Sequence, residues 1–103
     1  MEIIATRSLK YSTKGEPGRR HDLTVCIYAP FPVVKGSVAF EVDEQVAGCR
    51  WELMGLPEKI GDVAYGADSL QALQLATDVD AVMRKLSAKY DLWFLDGEPY
   101  FED

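Results

Sequence analysis

The segment that most restricts the fold begins at Asp68, where the sequence carries the start signal of a helix. Asp68 is positioned as an N-cap, and Gln71, three residues later, is its capping-box partner. At about 100° per residue, the apolar residues that follow fall in one sector of the helix. The pattern predicts one long helix from Asp68 to Tyr90 whose apolar stripe faces a sheet. The predicted stripe contains Ala72, Leu75, Ala76, Val79, Val82, Met83, Leu86 and Tyr90.

A helix of this length has consequences for the residues around it. It would extend about 33 Å, comparable to a strand of roughly nine or ten residues, so one helix can cover a sheet face. Leu70 and Leu73 lie about 100° or more from the stripe. We therefore expect the C-terminal segment or another subunit to cover them. Gly66, just before the helix, permits an unusual backbone angle.

Alternation of apolar and polar residues with a period of two predicts strands elsewhere in the chain. Pro30 and Pro32 end the second of these strands, because proline donates no ladder hydrogen bond. The predicted strands are residues 2–11, 23–28, 38–43, 49–54 and 63–65, with a hairpin turn at 14–18. Residues 92–95 are predicted to form either a last, well-covered strand or a segment packed beside the helix. The predicted architecture is a single α+β domain over residues 1–103. It has a mostly antiparallel sheet of five or six strands with the helix packed on one face.

One block of the sequence carries a resemblance. The run YGADSLQALQLA at 65–76, preceded by WELMGL at 51–56, resembles a family of small bacterial proteins of unknown function. The segments IIATR at 3–7 and LW at 92–93 resemble the ends of that family, so the resemblance extends over most of the chain. It implies a bacterial source, and it transfers no activity, cofactor or catalytic residue.

Composition and charge restrict the classes of partner. The chain has 103 residues, of which 48% are hydrophobic and 27% charged, which is typical of a soluble globular domain. Its formal charge of -6 argues against nucleic acid or an anionic membrane as a partner and favours a basic protein. The N-terminus lacks a signal-peptide pattern, and no apolar stretch approaches the roughly 20 residues of a membrane span. The expected location is the bacterial cytoplasm.

The charges are unevenly distributed along the chain. Residues 1–35 carry six Lys and Arg against three acids, whereas residues 36–103 carry five against fourteen. The last thirteen residues interleave acids with aromatic residues and contain no Lys or Arg. Aromatic anchors within an acidic rim are typical of a surface that binds a cationic protein, although a solvated chain end is the alternative. The predicted partner-binding residues are Trp93, Asp96, Glu98, Tyr100, Glu102 and Asp103.

Residues that could support chemistry are few. Cys26 and Cys49 have opposite strand parity, so they should point away from each other and remain free thiols. His21 is a candidate general base, although an exposed histidine at a hairpin end is the simpler interpretation. Its candidate partners are Asp22, Ser8 and Ser12. No catalytic residue, metal site or cofactor is predicted, because no phosphate loop or metal-ligand spacing is present.

The sequence favours a non-enzymatic protein-binding module, such as an inhibitor or immunity-type protein for a basic partner. Two alternatives are a small ligand-binding domain or enzyme with a pocket between helix and sheet, and a structural subunit of a homodimer. The sheet face away from the helix is a further candidate interaction surface. It is predicted to present Thr6, Ser8, Lys10, Thr24, Cys26, Tyr28, Arg50 and Glu52.

Overall fold

The computed structural model describes residues 1–34 and 46–101. Within these ranges an antiparallel sheet packs against a bent helix, which confirms the predicted α+β class. The predicted strand at 38–43 lies outside the described residues. The elements are β1 (Ile3–Thr13), β2 (His21–Tyr28), β3 (Phe31–Pro32), β4 (Ala47–Met54), β5 (Ile60–Gly66), α1 (Ser69–Thr77), α2 (Asp80–Leu86) and β6 (Tyr90–Phe94).

Strand β1 joins the two ends of the chain in one sheet. It pairs with β2 from Ile3 to Tyr11 and with β6 from Leu9 to Thr13, antiparallel on both sides. On the far side of β2 the sheet continues into β4, which pairs with β3 and β5. Among the described residues, β5 and β6 therefore flank the sheet.

The outer edge of β5 is partly occupied by its own side chain. The backbone N–H of Val63 donates to Asp62 Oδ1 at 2.7 Å. That N–H is a group that an additional strand would need as a donor. Asp62 therefore reduces the capacity of this edge to accept another strand.

Alternation along the strands places the apolar side chains under the helix, as predicted for most of the sheet. Leu9, Leu23 and Val25 are buried in a shared core. The first half of β1 differs, because Ile3 is 45% exposed and Ala5 is also exposed. Strand β6 pairs with β1 only from Leu9 onward, so it leaves these residues uncovered.

The predicted N-cap at Asp68 is present at the start of α1, while the returning bond of Gln71 goes to Ala67, one residue before the cap, and not to Asp68 as in a capping box. Asp68 Oδ1 accepts a hydrogen bond from the Gln71 N–H at 2.8 Å, and Gln71 Oε1 accepts one from the Ala67 N–H at 2.6 Å. The role predicted for Gly66 is wrong, since its φ is not positive. A Cβ atom there would lie 2.4 Å from the Ala72 nitrogen, so glycine permits close packing between β5 and α1.

The helical segment is bent and shorter than predicted. Helix α1 ends at Thr77, Asp78 adopts the non-helical angles φ -82° and ψ 77°, and α2 begins at Asp80. Thr77 donates through Oγ1 to the Gln74 carbonyl at 3.1 Å, a local bond that competes with helix continuation. Tyr90 is not the helix end, because it pairs with Thr13 as the first residue of β6. No described helix is both long and apolar enough to cross a bilayer.

The bend also divides the predicted stripe. Leu75 is 50% exposed, whereas Leu73 packs against the core and Leu70 remains 63% exposed. No described contact shows the C-terminal segment covering Leu70. The other stripe residues are buried or half-buried: Ala72, Ala76, Val79, Val82, Met83, Leu86 and Tyr90.

The buried side of α2 should dominate its contribution to stability. Replacing buried Leu86 with Ala should lower the free energy of unfolding by about 2 to 5 kcal/mol, because it leaves a cavity. Replacing its exposed neighbour Lys85 with Ala should change it by less than about 0.5 kcal/mol. Urea unfolding followed by circular dichroism measures both, and equal losses would contradict the assigned buried face.

The helix cap can be tested separately. Replacing Asp68 with Ala removes the acceptor of the Gln71 N–H and should cost about 1 kcal/mol. Asp68→Asn is the matched control, because its side-chain oxygen retains the acceptor and should preserve stability within a few tenths of a kcal/mol. Thermal and urea unfolding should separate the two variants, and equal stability of both with the wild type would be the contrary result.

Candidate functional site

The last described residues fold back along β6. The Gly97 N–H donates to the Phe94 carbonyl at 3.0 Å, and the Phe94 N–H donates to the Glu98 carbonyl at 2.8 Å. The Tyr100 N–H then reaches the Leu92 carbonyl at 2.9 Å. Gly97 has a φ of +93°, which favours glycine in this turn. We call residues 94–98 the tail turn. These backbone bonds give the turn and the residues that follow it a defined conformation.

Trp93 contacts residues of the polar sheet face. Its Nε1 donates to Ser12 Oγ at 3.3 Å, and the Arg20 guanidinium lies 3.9 Å from the ring centroid. A cation over an indole face is an attractive arrangement. Trp93 is therefore half-buried and already engaged within the chain.

Tyr100 lies on the helix side and joins the tail to β1 and α2. Arg7 Nη1 donates to its hydroxyl oxygen at 3.2 Å, and the hydroxyl donates to Asp80 Oδ1 at 3.1 Å. Its ring lies 5.1 Å from that of Phe94. Burial raises the pKa of Tyr100, and the hydrogen bond to Asp80 raises it further. Tyr100 thus connects the residues after the tail turn to β1 and α2 through hydrogen bonds.

The carboxylates of the tail turn remain at the surface. Asp96 Oδ1 accepts a hydrogen bond from the Glu98 N–H at 2.9 Å, and both residues are exposed. Neither forms an ion pair with another described residue. Phe94, 39% exposed, and Leu95, 62% exposed, are the apolar side chains of this turn. Composition alone favoured Trp93 and Tyr100 as anchors, whereas Phe94 and Leu95 are the more accessible apolar groups.

Two of the six predicted residues, Glu102 and Asp103, lie outside the described residues. The other four, Trp93, Asp96, Glu98 and Tyr100, are described and lie close together in the sequence. Trp93 and Tyr100 nevertheless engage opposite faces of the sheet, since one contacts Ser12 and the other contacts α2. They do not form one continuous surface.

The charge asymmetry along the sequence is largely mixed in space. Pairing of β1 with β6 brings the basic N-terminal part beside the acidic C-terminal part. Residues 1–34 and 46–101 together contain ten Lys and Arg and twelve Asp and Glu, a net charge of -2. Most of the acidic excess therefore belongs to residues 35–45 and 102–103, and the described acidic surface is local.

The two thiols are free, as predicted, and both are buried, including Cys26, which was expected to be presented on the sheet face away from the helix. Cys49 lies on the core face and donates through Sγ to the Tyr28 carbonyl at 3.2 Å. Cys26 lies in register with Glu52 on the other face. Burial raises the pKa of both thiols, which disfavours the reactive thiolate.

The fold does not assemble the groups around His21 into a catalytic arrangement. The His21 ring lies 5.3 Å from that of Tyr11, while the neighbouring Asp22 is ion-paired with Lys10. Lys10 holds the pKa of Asp22 below its ordinary value. Ser12, a proposed nucleophile, instead accepts a hydrogen bond from Trp93. The described residues contain no group of three or more potential metal ligands.

The sheet face away from the helix carries a polar network that its sequence pattern did not specify. Tyr28 donates through its hydroxyl to Glu52, and Arg50 lies 3.5 Å from Glu52. The hydrogen bond to Glu52 raises the pKa of Tyr28. Alternation predicted that these side chains share a face, but their pairing depends on the register of β2 with β4. The network orders this face through internal contacts.

An open cleft of about 140 Å³ lies between the helical segment and the sheet, where a pocket is the predicted alternative site. It lies beneath the bend between α1 and α2 and is mainly apolar. Arg7 supplies the charged side chain of its lining. The lining residues are Ala5, Thr6, Arg7, Val25, Ile27, Thr77 and Val79.

The contact between Tyr100 and Asp80 predicts a pH-dependent contribution to stability. Tyr100→Phe should lower the free energy of unfolding by about 1 kcal/mol at neutral pH, because Arg7 and Asp80 both lose the hydroxyl that they bond to. The folded chain keeps this phenol protonated above its ordinary pKa of 10.0. Its contribution is therefore complete below pH 10 and is lost as the pH rises through the folded-state pKa. Urea unfolding across this range should show the two proteins converging, and a constant difference would contradict the assignment.

Comparisons with protein-family models, with curated proteins and with solved structures find no match to this chain. The resemblance to a family of small bacterial proteins therefore stays a prediction.

Proposed function

We propose that this chain is a non-enzymatic protein-binding module of the bacterial cytoplasm, in which the tail turn engages a basic protein. The observation that carries the proposal is the ordered turn itself. It presents exposed Phe94 and Leu95 next to Asp96 and Glu98, with no ion pair to these carboxylates among the described residues. An inhibitor or immunity-type protein is the class that this combination favours.

The turn combines two contributions to protein recognition. Exposed apolar side chains gain free energy when a partner removes them from water, by about 25 cal/mol per Å². Phe94 and Leu95 supply such area in a segment that is already ordered, so less conformational entropy is lost on binding. Carboxylates at the rim attract a cationic surface and accelerate association. Asp96 and Glu98 are exposed carboxylates beside Phe94 and Leu95, so they lie where the rim of such a contact would be.

The electrostatic part of the proposal predicts a change in association rate. Neutralising both carboxylates with Asp96→Asn and Glu98→Gln should slow association with the basic partner severalfold at low salt. The effect should diminish at high salt, because screening shortens the reach of surface charges. Affinity capture from the native host supplies the partner, and surface plasmon resonance at two salt concentrations measures the rates.

A matched control removes two charges at the opposite side of the sheet. Asp62→Asn with Asp68→Asn changes the formal charge equally and retains an acceptor at the helix cap. This variant should associate at nearly the wild-type rate. Equal rates for the wild type and the tail-turn variant at low salt would overturn the role of the carboxylates.

A further inference from the structure

The first half of β1 has an edge to which no described strand is bonded. Strand β1 has eleven residues, but β6 pairs only with Leu9–Thr13. The chain leaves the sheet after Phe94, where the tail turn directs it back along β6. We call residues 3–8 the free edge of β1.

The hydrogen-bonding direction of this edge follows from the bonds of β6. The Phe94 N–H and the Leu92 carbonyl bond to the folded-back tail, so Trp93 between them directs its backbone groups toward β1. The backbone N–H and carbonyl of its register partner Lys10 therefore point toward β6. Ser8 and Thr6, two and four residues earlier, direct their N–H and carbonyl groups the same way, beyond the end of β6. Neither has a backbone partner on this side among the described residues.

Exposed apolar side chains and an apolar cleft lie beside the free edge, where an extended segment could contact them. Ile3 and Ile4, 45% and 46% exposed, lie at one end of the free edge, and the exposed Phe94 and Leu95 lie at its other end, where β6 ends. On the helix side, the cleft of about 140 Å³ opens between Ala5 and the helix bend. A strand added to β1 would direct alternate side chains to this side, so an apolar one can enter the cleft.

The charges around the free edge favour a basic occupant over a second copy of the chain. Asp78 lies at the helix bend, between the cleft-lining residues Thr77 and Val79. Asp96 and Glu98 lie on the tail turn. Arg7, the cation of the cleft lining, keeps its positive charge while it donates to the Tyr100 hydroxyl, which also bonds to Asp80; the carboxylates around the cleft and tail turn outnumber it. A second copy would bring the same carboxylates to the contact, whereas lysine or arginine side chains would be attracted to them.

We infer that the basic partner binds by strand addition, with an extended segment of alternating basic and apolar residues extending the sheet at the free edge of β1. The inference rests on the proposed function and specifies how the partner is held. Backbone hydrogen bonds to Thr6 and Ser8 would provide affinity. The cleft and the carboxylates would select the side chains.

A synthetic peptide tests this directly. The probe is a capped peptide of about seven residues that alternates lysine and valine, long enough to span the free edge. Its affinity is measured by isothermal titration calorimetry. We expect binding to the wild-type chain and at least a tenfold weaker affinity for a peptide N-methylated on the edge that pairs with β1, because methylation removes the N–H donors. A glutamate–valine peptide should also bind at least tenfold more weakly.

A variant of the chain gives the reciprocal measurement. Thr6→Pro removes an N–H that has no described partner, and it should weaken binding of the lysine–valine peptide at least tenfold while circular dichroism shows a retained sheet. Thr24→Ala is the control. Thr24 lies on the same sheet face as Thr6, but its strand β2 is paired with β1 on one side and with β4 on the other, so it has no free edge. If Thr6→Pro does not fold, the N-methylated peptide decides the question alone.

The outcomes separate this inference from the proposed function. Loss of binding on methylation, together with the tenfold loss in Thr6→Pro where that variant folds, supports strand addition. Binding that survives methylation but is lost with Asp96→Asn and Glu98→Gln overturns strand addition and leaves the protein-binding role of the tail turn intact. No peptide binding, or a dimer in sedimentation equilibrium that Thr6→Pro dissociates, overturns the inference in favour of another mode or a second copy.

Discussion

Antiparallel pairing of β1 with both β2 and β6 sets the positions of the other elements. The second half of β1 lies within the sheet, where Leu9 and Tyr11 are buried beneath the helical segment. The first half extends past the end of β6 and is exposed. The core is covered by the helical segment, while the difference between eleven residues in β1 and five in β6 leaves an uncovered edge. The tail turn marks the boundary between them.

Features encoded within a few neighbouring residues could be predicted from the sequence. The N-cap at Asp68 is an example, because its carboxylate and the Gln71 N–H that it accepts lie within one helical turn. The end of the helix could not be predicted in this way. Tyr90 continues the apolar periodicity of the helix, yet its pairing with Thr13, distant in sequence, makes it a strand residue. Tertiary pairing outweighs local periodicity at this point.

The candidate site shows the same limit. Composition identified the C-terminal segment as aromatic and acidic, but the accessibility of each aromatic residue depends on distant partners. Arg20 covers Trp93, and Arg7 holds Tyr100, so neither aromatic residue is free at the surface. The free edge of β1 was missed for a related reason. Alternation indicates which face a side chain occupies, but it does not indicate where a neighbouring strand ends.

The bond between Asp62 and the Val63 N–H bears on how many partners a sheet of this kind can accept. A sheet with two receptive edges can grow at both ends and form open fibres, because every added chain exposes a new edge. Here β5 occupies one of its outward donors with its own carboxylate, whereas the first half of β1 has no such device among the described residues. The two sides of the sheet are therefore unequal. Growth by strand addition is therefore less favourable from the β5 side than from the free edge of β1, which biases the sheet toward extension in one direction.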